Sequence, residues 1–89
     1  MKNRINEKFD DLSKLDKSAF VAYLCAGDPS YHKSLDSMHA LANAGADIIE
    51  VGIPFSDPLA DGIVNQMAAA RALNAGMDVK KTLELINDF

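Results

Sequence analysis

Residues Ala46-Asp47-Ile48-Ile49-Glu50-Val51-Gly52-Ile53 read as a buried strand, rich in β-branched residues and carrying one charge where none is expected. Its exit is irregular: Pro54 to Gly62 holds two prolines and an Asp61-Gly62 pair. Upstream, Ala19-Phe20-Val21-Ala22-Tyr23-Leu24-Cys25-Ala26 is a second apolar run, ended by Gly27-Asp28-Pro29. Continuous apolar runs bounded by turn residues predict strands buried on both faces. Between them Leu35, Met38 and Leu41 fall on one helical stripe of Ser30 to Ala44, with Gly45 as the residue just past the helix. Ile5, Phe9 and Leu12 predict an amphipathic helix ahead of the first strand. Beyond the loop, Gln66 to Ala75 is Ala-rich and helical, closed by Gly76. Asp78 then caps a last helix with Val79, Leu83 and Ile86 on one face. The order is βαβα, hence α/β with a parallel sheet and helices outside.

Two fully buried parallel strands do not make an independent sheet, because each needs neighbours on both edges. The pattern also stops at Phe89 with no closing strand, and a (βα)8 barrel runs to roughly 250 residues. The sequence therefore reads as a piece of something larger. Residues 1–89 are expected to be the N-terminal part of a single (βα)8 barrel domain, holding the N-terminal helix, the first two βα units and the loop after the second strand.

Composition excludes several classes. The 89 residues are 48% hydrophobic and 25% charged, an ordinary globular balance without repeats or low complexity. The net charge is −4 and the Lys and Arg residues are scattered, so no basic stripe for nucleic acid exists. The longest apolar run is strand-sized, well short of the roughly 20 residues of a membrane span. The N-terminus mixes charges without an apolar core, and the single Cys25 sits in an apolar run as a buried thiol. Both point to a reducing, cytoplasmic setting. His32 and His39 lie seven apart with no partner at zinc spacing, and read as surface residues. There is no Gly-rich phosphate loop.

Glu50 is the chemical signal. It shares a strand face with Ile48, and an ionised carboxylate is costly among apolar neighbours. It is either an ion-paired or capping glutamate or a functional acid; spacing alone leaves both open. Its place toward the C-terminal end of the strand is where parallel barrels hold catalytic groups. Burial there would disfavour the charged form and leave a group that both accepts and gives a proton near neutrality. Asp57 and Asp61 follow in a loop, flanked by Pro58 and Gly62. They are either ordinary turn residues or groups brought to a ligand by a functional loop. A hard cation such as Mg²⁺ would need a further polar cluster at ligand spacing, and the sequence has none.

The run Ile49-Glu50-Val51-Gly52-Ile53-Pro54-Phe55-Ser56-Asp57-Pro58-Leu59-Ala60-Asp61-Gly62 closely resembles the signature of tryptophan synthase alpha subunits. Phe20-Val21, Gly27-Asp28-Pro29, Ala44-Gly45-Ala46-Asp47, Gln66 and Arg71 fit in order, so the likeness covers about Ala19 to Phe89. It implies a (βα)8 barrel that cleaves indole-3-glycerol phosphate to indole and glyceraldehyde 3-phosphate in tryptophan biosynthesis. It implies no cofactor in this subunit, since pyridoxal phosphate belongs to a beta subunit that receives the indole through a tunnel in an alpha2beta2 tetramer.

By the same resemblance the two catalytic carboxylates are Glu50 and Asp61. Tyr23 lines the indole pocket, and Pro54 and Asp57 touch the beta subunit. The chain departs from the family at Ile63-Val64-Asn65, where Pro usually comes first and Asn65 stands for an apolar residue near the substrate. Ala22 and Cys25 also differ from the commonest choices. The family's phosphate-binding loops lie late in the barrel, so the other reading of these 89 residues is a catalytically inert barrel fragment or association module.

Overall fold

In the computed structural model, which describes residues 3–56 and 62–89, strands β1 (Val21–Cys25) and β2 (Ile48–Gly52) pair in parallel, Val21 opposite Ile48 and Cys25 opposite Gly52. Helix α1 (Arg4–Lys14) precedes them, α2 (Tyr31–Asn43) crosses between them, and α3 (Ile63–Asn74) and α4 (Val79–Asp88) follow. The ladder starts at Asp47. Its N–H donates to the Phe20 carbonyl at 2.9 Å, and its carboxylate accepts from the Phe20 N–H at 2.8 Å. At the other end the Ala26 N–H donates to the Gly52 carbonyl at 2.9 Å. Strand pairing thus runs as the apolar patterning predicted.

Capping residues set the helix starts. The Asn3, Ser30 and Asp78 side chains each accept a backbone N–H three residues on, as orphan donors at helix N-termini require. Gly45, just past α2, takes φ +105°, the left-handed geometry that ends a helix. Helix α3 begins at Ile63, three residues before the Ala-rich stretch suggested. Its first hydrogen bond runs from the Gln66 N–H to the Gly62 carbonyl. The β-branched pair Ile63-Val64, poor in helix propensity, hides that first turn from a sequence reading.

One sheet face is packed and the other is bare. Leu24, Ile49 and Val51 pack on a core of Met38, Ala68, Ala69, Ala72, Met77 and Leu85, joined by Cys25 and Ala26. On the opposite face Val21 and Tyr23 are 44% and 48% exposed and Glu50 is exposed. The prediction of strands buried on both faces therefore fails for this chain, because the helices among the described residues cover only one side.

Two helix faces also differ from expectation. Of the α1 stripe only Leu12 is buried, while Ile5 and Phe9 stay about half exposed. In α4 the buried residues are Thr82 and Leu85, whereas Val79, Leu83 and Ile86 are exposed. The Thr82 hydroxyl donates to the Asp78 carbonyl at 2.8 Å, which makes a polar residue cheap to bury and turns α4 onto that side.

Helices α2 and α4 are tied by the Tyr31 phenol, which donates to the Asp88 carboxylate. That bond first, then desolvation and the negative charges of Asp88 and Glu84, push Tyr31 up from the ordinary 10 to about 12. A raised value means the tie is complete below pH 10 and is lost as pH climbs through about 12. Phenolate absorbance is expected to show a step near pH 12 that the Tyr31→Phe variant lacks; a Tyr31 step near pH 10 contradicts it.

Candidate active site

Glu50 is the third residue of β2 and lies opposite Tyr23 in the register. In a parallel pair such neighbours project to the same side. That side is the bare face, so both point away from the helix-packed core. The Tyr23 ring leans toward the C-terminal end of the sheet and lies over Gly52. A Cβ at position 52 would sit 2.7 Å from Tyr23 Cζ and 2.8 Å from Cε2. Gly52 therefore makes room for the aromatic ring beside Glu50.

Among the described residues the Glu50 side chain has no hydrogen bond or ion pair. It is exposed, so the desolvation expected from the sequence is not supplied by the described residues. A carboxylate on an apolar strand face of this kind is desolvated only when further strands close over it.

Asn65 stands in the first turn of α3. With Tyr23, Cys25, Val64 and Arg71 it lines a cleft of about 220 Å³ between β1 and α3. The two residues assigned to the substrate by resemblance are thus brought to one cleft. At its rim Arg71 donates to Asp28 twice, Nε to Oδ1 at 2.7 Å and Nη2 to Oδ2 at 3.0 Å. The hydrogen bond to Asp28 holds the Arg71 guanidinium above its ordinary value.

Asp57 and Asp61 lie outside the described residues. Pro54 is buried, and the next residue, Phe55, is 61% exposed. Cys25 is a buried thiol in no disulfide, as read from its apolar run. His32 and His39 are exposed on α2, His39 with its ring 4.9 Å from that of Phe89. Among the described residues no group of three His, Cys, Asp or Glu is placed to hold a metal ion, and no helix is long and apolar enough to cross a membrane. Sequence reasoning assigns Asp28 and Arg71 no role. They are 43 residues apart, and no periodicity links a turn to a later helix.

Paired parallel strands with a helical crossover, helices on one face and a carboxylate on the other, are the opening βα units of a (βα)8 barrel. The family model described as "Tryptophan synthase alpha chain" matches residues 9–89, and the chain belongs to that family. The tryptophan synthase alpha chain of Opitutus terrae is 47% identical over 90 residues, covering 98% of this chain and 34% of that one. The crystal structure of tryptophan synthase subunit alpha from Legionella pneumophila superposes with a TM-score of 0.96 at 38% identity, over 100% of this chain and 34% of that chain. A tryptophan synthase chain from M. tuberculosis, in an aminoacrylate-bound form, gives 0.90 at 38% identity, over 96% and 35%. The chain spans about a third of the length of the relatives it matches.

Proposed function

We propose that residues 1–89 are the N-terminal part of a single (βα)8 barrel domain whose whole protein is a carbon–carbon lyase. It cleaves indole-3-glycerol phosphate to indole and glyceraldehyde 3-phosphate by a retro-aldol step in tryptophan biosynthesis, in the cytoplasm. The observation that carries this reading is Glu50 beside Tyr23 on the sheet face that the helices leave bare, in a chain of this family.

Cleavage needs a proton delivered to indole C3 and the glycerol hydroxyl deprotonated, so that the carbon–carbon bond breaks as the aldehyde forms. One carboxyl group can serve both ends, and that role falls to Glu50. Protonation at C3 spreads positive charge toward the ring nitrogen. Asp61, held against that N–H, stabilises the charge as it develops. Tyr23 and Asn65 line the ring pocket. The subunit needs no cofactor of its own. Its partner is a tryptophan synthase beta subunit in an alpha2beta2 tetramer, met through the loop of Pro54 and Asp57 with Phe55 exposed beside them.

A second reading applies to the 89 residues taken alone. Phe20, Val21 and Tyr23 are between 44% and 50% exposed, so the described residues enclose no ring pocket and the chain by itself is expected to be inert. The full-length protein is expected to release indole from indole-3-glycerol phosphate, faster with added beta subunit, while residues 1–89 alone release none. A full-length protein that folds and yields no indole under either condition ends the lyase reading.

A further inference from the structure

Glycine at position 52 answers no demand of the backbone. Gly27, Gly45 and Gly76 hold a positive φ, which favours glycine, and Gly52 does not. It is the last residue of β2, opposite Cys25. A glycine in a strand often marks a place where another group comes close to the chain. Here that group is the Tyr23 side chain. A Cβ at position 52 would meet its hydroxyl oxygen most closely, then Cζ at 2.7 Å and Cε2 at 2.8 Å. Carbon atoms pack at about 3.5–4.0 Å, so an added methyl and the ring cannot share that space.

One side of this contact is held by the sheet. The Ala26 N–H donates to the Gly52 carbonyl at 2.9 Å, which ties the two strands together at that residue. The ring, by contrast, stands at the end of a side chain that turns about two bonds. The ring is therefore the part that moves when position 52 gains a methyl. Its place matters, because Gly52 shares a sheet face with Glu50, two residues before it, and Tyr23 lies opposite Glu50. The ring spans from the level of Glu50 to the C-terminal end of β2.

We infer that Gly52 is a positioning residue for the substrate ring: its bare backbone seats the Tyr23 ring over the end of β2 and so sets the room beside Glu50. The inference rests on the lyase reading for the identity of that substrate ring, though the seat itself does not. A methyl at position 52 drives the Tyr23 ring off the strand, into the space on that face where an indole ring would lie. Lost room weakens ground state and transition state alike, so it raises KM and leaves kcat nearly unchanged.

The test uses the full-length enzyme and three variants: Gly52→Ala, Tyr23→Leu and the double Gly52→Ala/Tyr23→Leu. Leucine ends at Cδ, short of the hydroxyl, Cζ and Cε2 that a methyl at position 52 would meet. Gly52→Ala alone is expected to lower kcat/KM about 10–200-fold, the range for one methylene misplaced in an apolar pocket, with kcat within about 3-fold of wild type. Added to Tyr23→Leu, the same change is expected to cost less than about 3-fold, because no ring is left to displace. Equilibrium dialysis with indole should show the same pattern without turnover.

An equal loss in both backgrounds, a loss carried by kcat at constant KM, wild-type kinetics, or a Gly52→Ala chain that fails to fold would each overturn the assignment. A wild-type enzyme that makes no indole counts against the lyase reading alone. The crystal structure of Gly52→Ala then decides the seat by itself. A displaced Tyr23 ring with the Ala26–Gly52 bond intact supports it, and an unmoved ring or a broken bond refutes it.

Discussion

Replacing Glu50 by Gln in the full-length enzyme is expected to lower kcat for indole-3-glycerol phosphate cleavage by about 10²–10⁴-fold, the usual worth of a positioned acid–base group. The amide has the shape of the carboxyl but cannot pass a proton between the glycerol hydroxyl and indole C3. KM should change little, since the lost interaction belongs to the transition state. Folding should also change little, because among the described residues the Glu50 side chain has no ion pair or hydrogen bond to lose. Glu50→Asp keeps the chemistry but withdraws it by one methylene, and should fall between the two. Turnover by Glu50→Gln equal to wild type would remove Glu50 from the mechanism, whatever the family of the chain.

Glu50 is legible in the amino-acid sequence because a charge inside an apolar strand contradicts its surroundings. Tyr23 is marked in the sequence only by the family resemblance; the register adds that it stands opposite Glu50, with its ring over Gly52. The order of strands and helices is equally legible, since buried runs and turn residues are local signals. The assignment of faces is not. Val79, Leu83 and Ile86 form a genuine apolar stripe, yet α4 docks through Thr82 and Leu85, one of them made buriable by a hydrogen bond to its own backbone. Likewise the apolar strands promise burial on both sides, while the described helices cover one. Periodicity reports that a face is apolar; it does not say which neighbour covers it.

The Asp28–Arg71 pair marks the other boundary of sequence reading. Each residue has an ordinary local explanation, Asp28 in a turn and Arg71 in a helix, and neither contradicts its surroundings as Glu50 does. Their pairing depends on how α3 lies against the end of β1, a tertiary fact. The turn Gly27-Asp28 meets the α3 region twice, through this ion pair and through Met77, which packs on Gly27.

That second contact makes Gly27→Ala the substitution expected to harm folding most. Gly27 holds φ +85°, where an L side chain is strained, and an added Cβ would stand 2.6 Å from Met77 Cγ and 2.9 Å from Met77 Cβ. Met77 is 6% exposed and part of the core, so it has little room to retreat. Backbone strain and overpacking together should cost about 2–4 kcal/mol. Gly45→Ala separates the two. Its φ is +105°, but nothing lies within 4 Å of the added Cβ, so only the backbone cost of about 1–2 kcal/mol remains.

Denaturant unfolding of the full-length protein measures both losses. The loss caused by Gly27→Ala should be smaller in a Met77→Ala background, because that change removes the Cγ and Sδ contacts and leaves only Cβ, at 2.9 Å. Equal losses at positions 27 and 45, with no coupling to Met77, would mean that the turn after β1 yields easily to the added methyl.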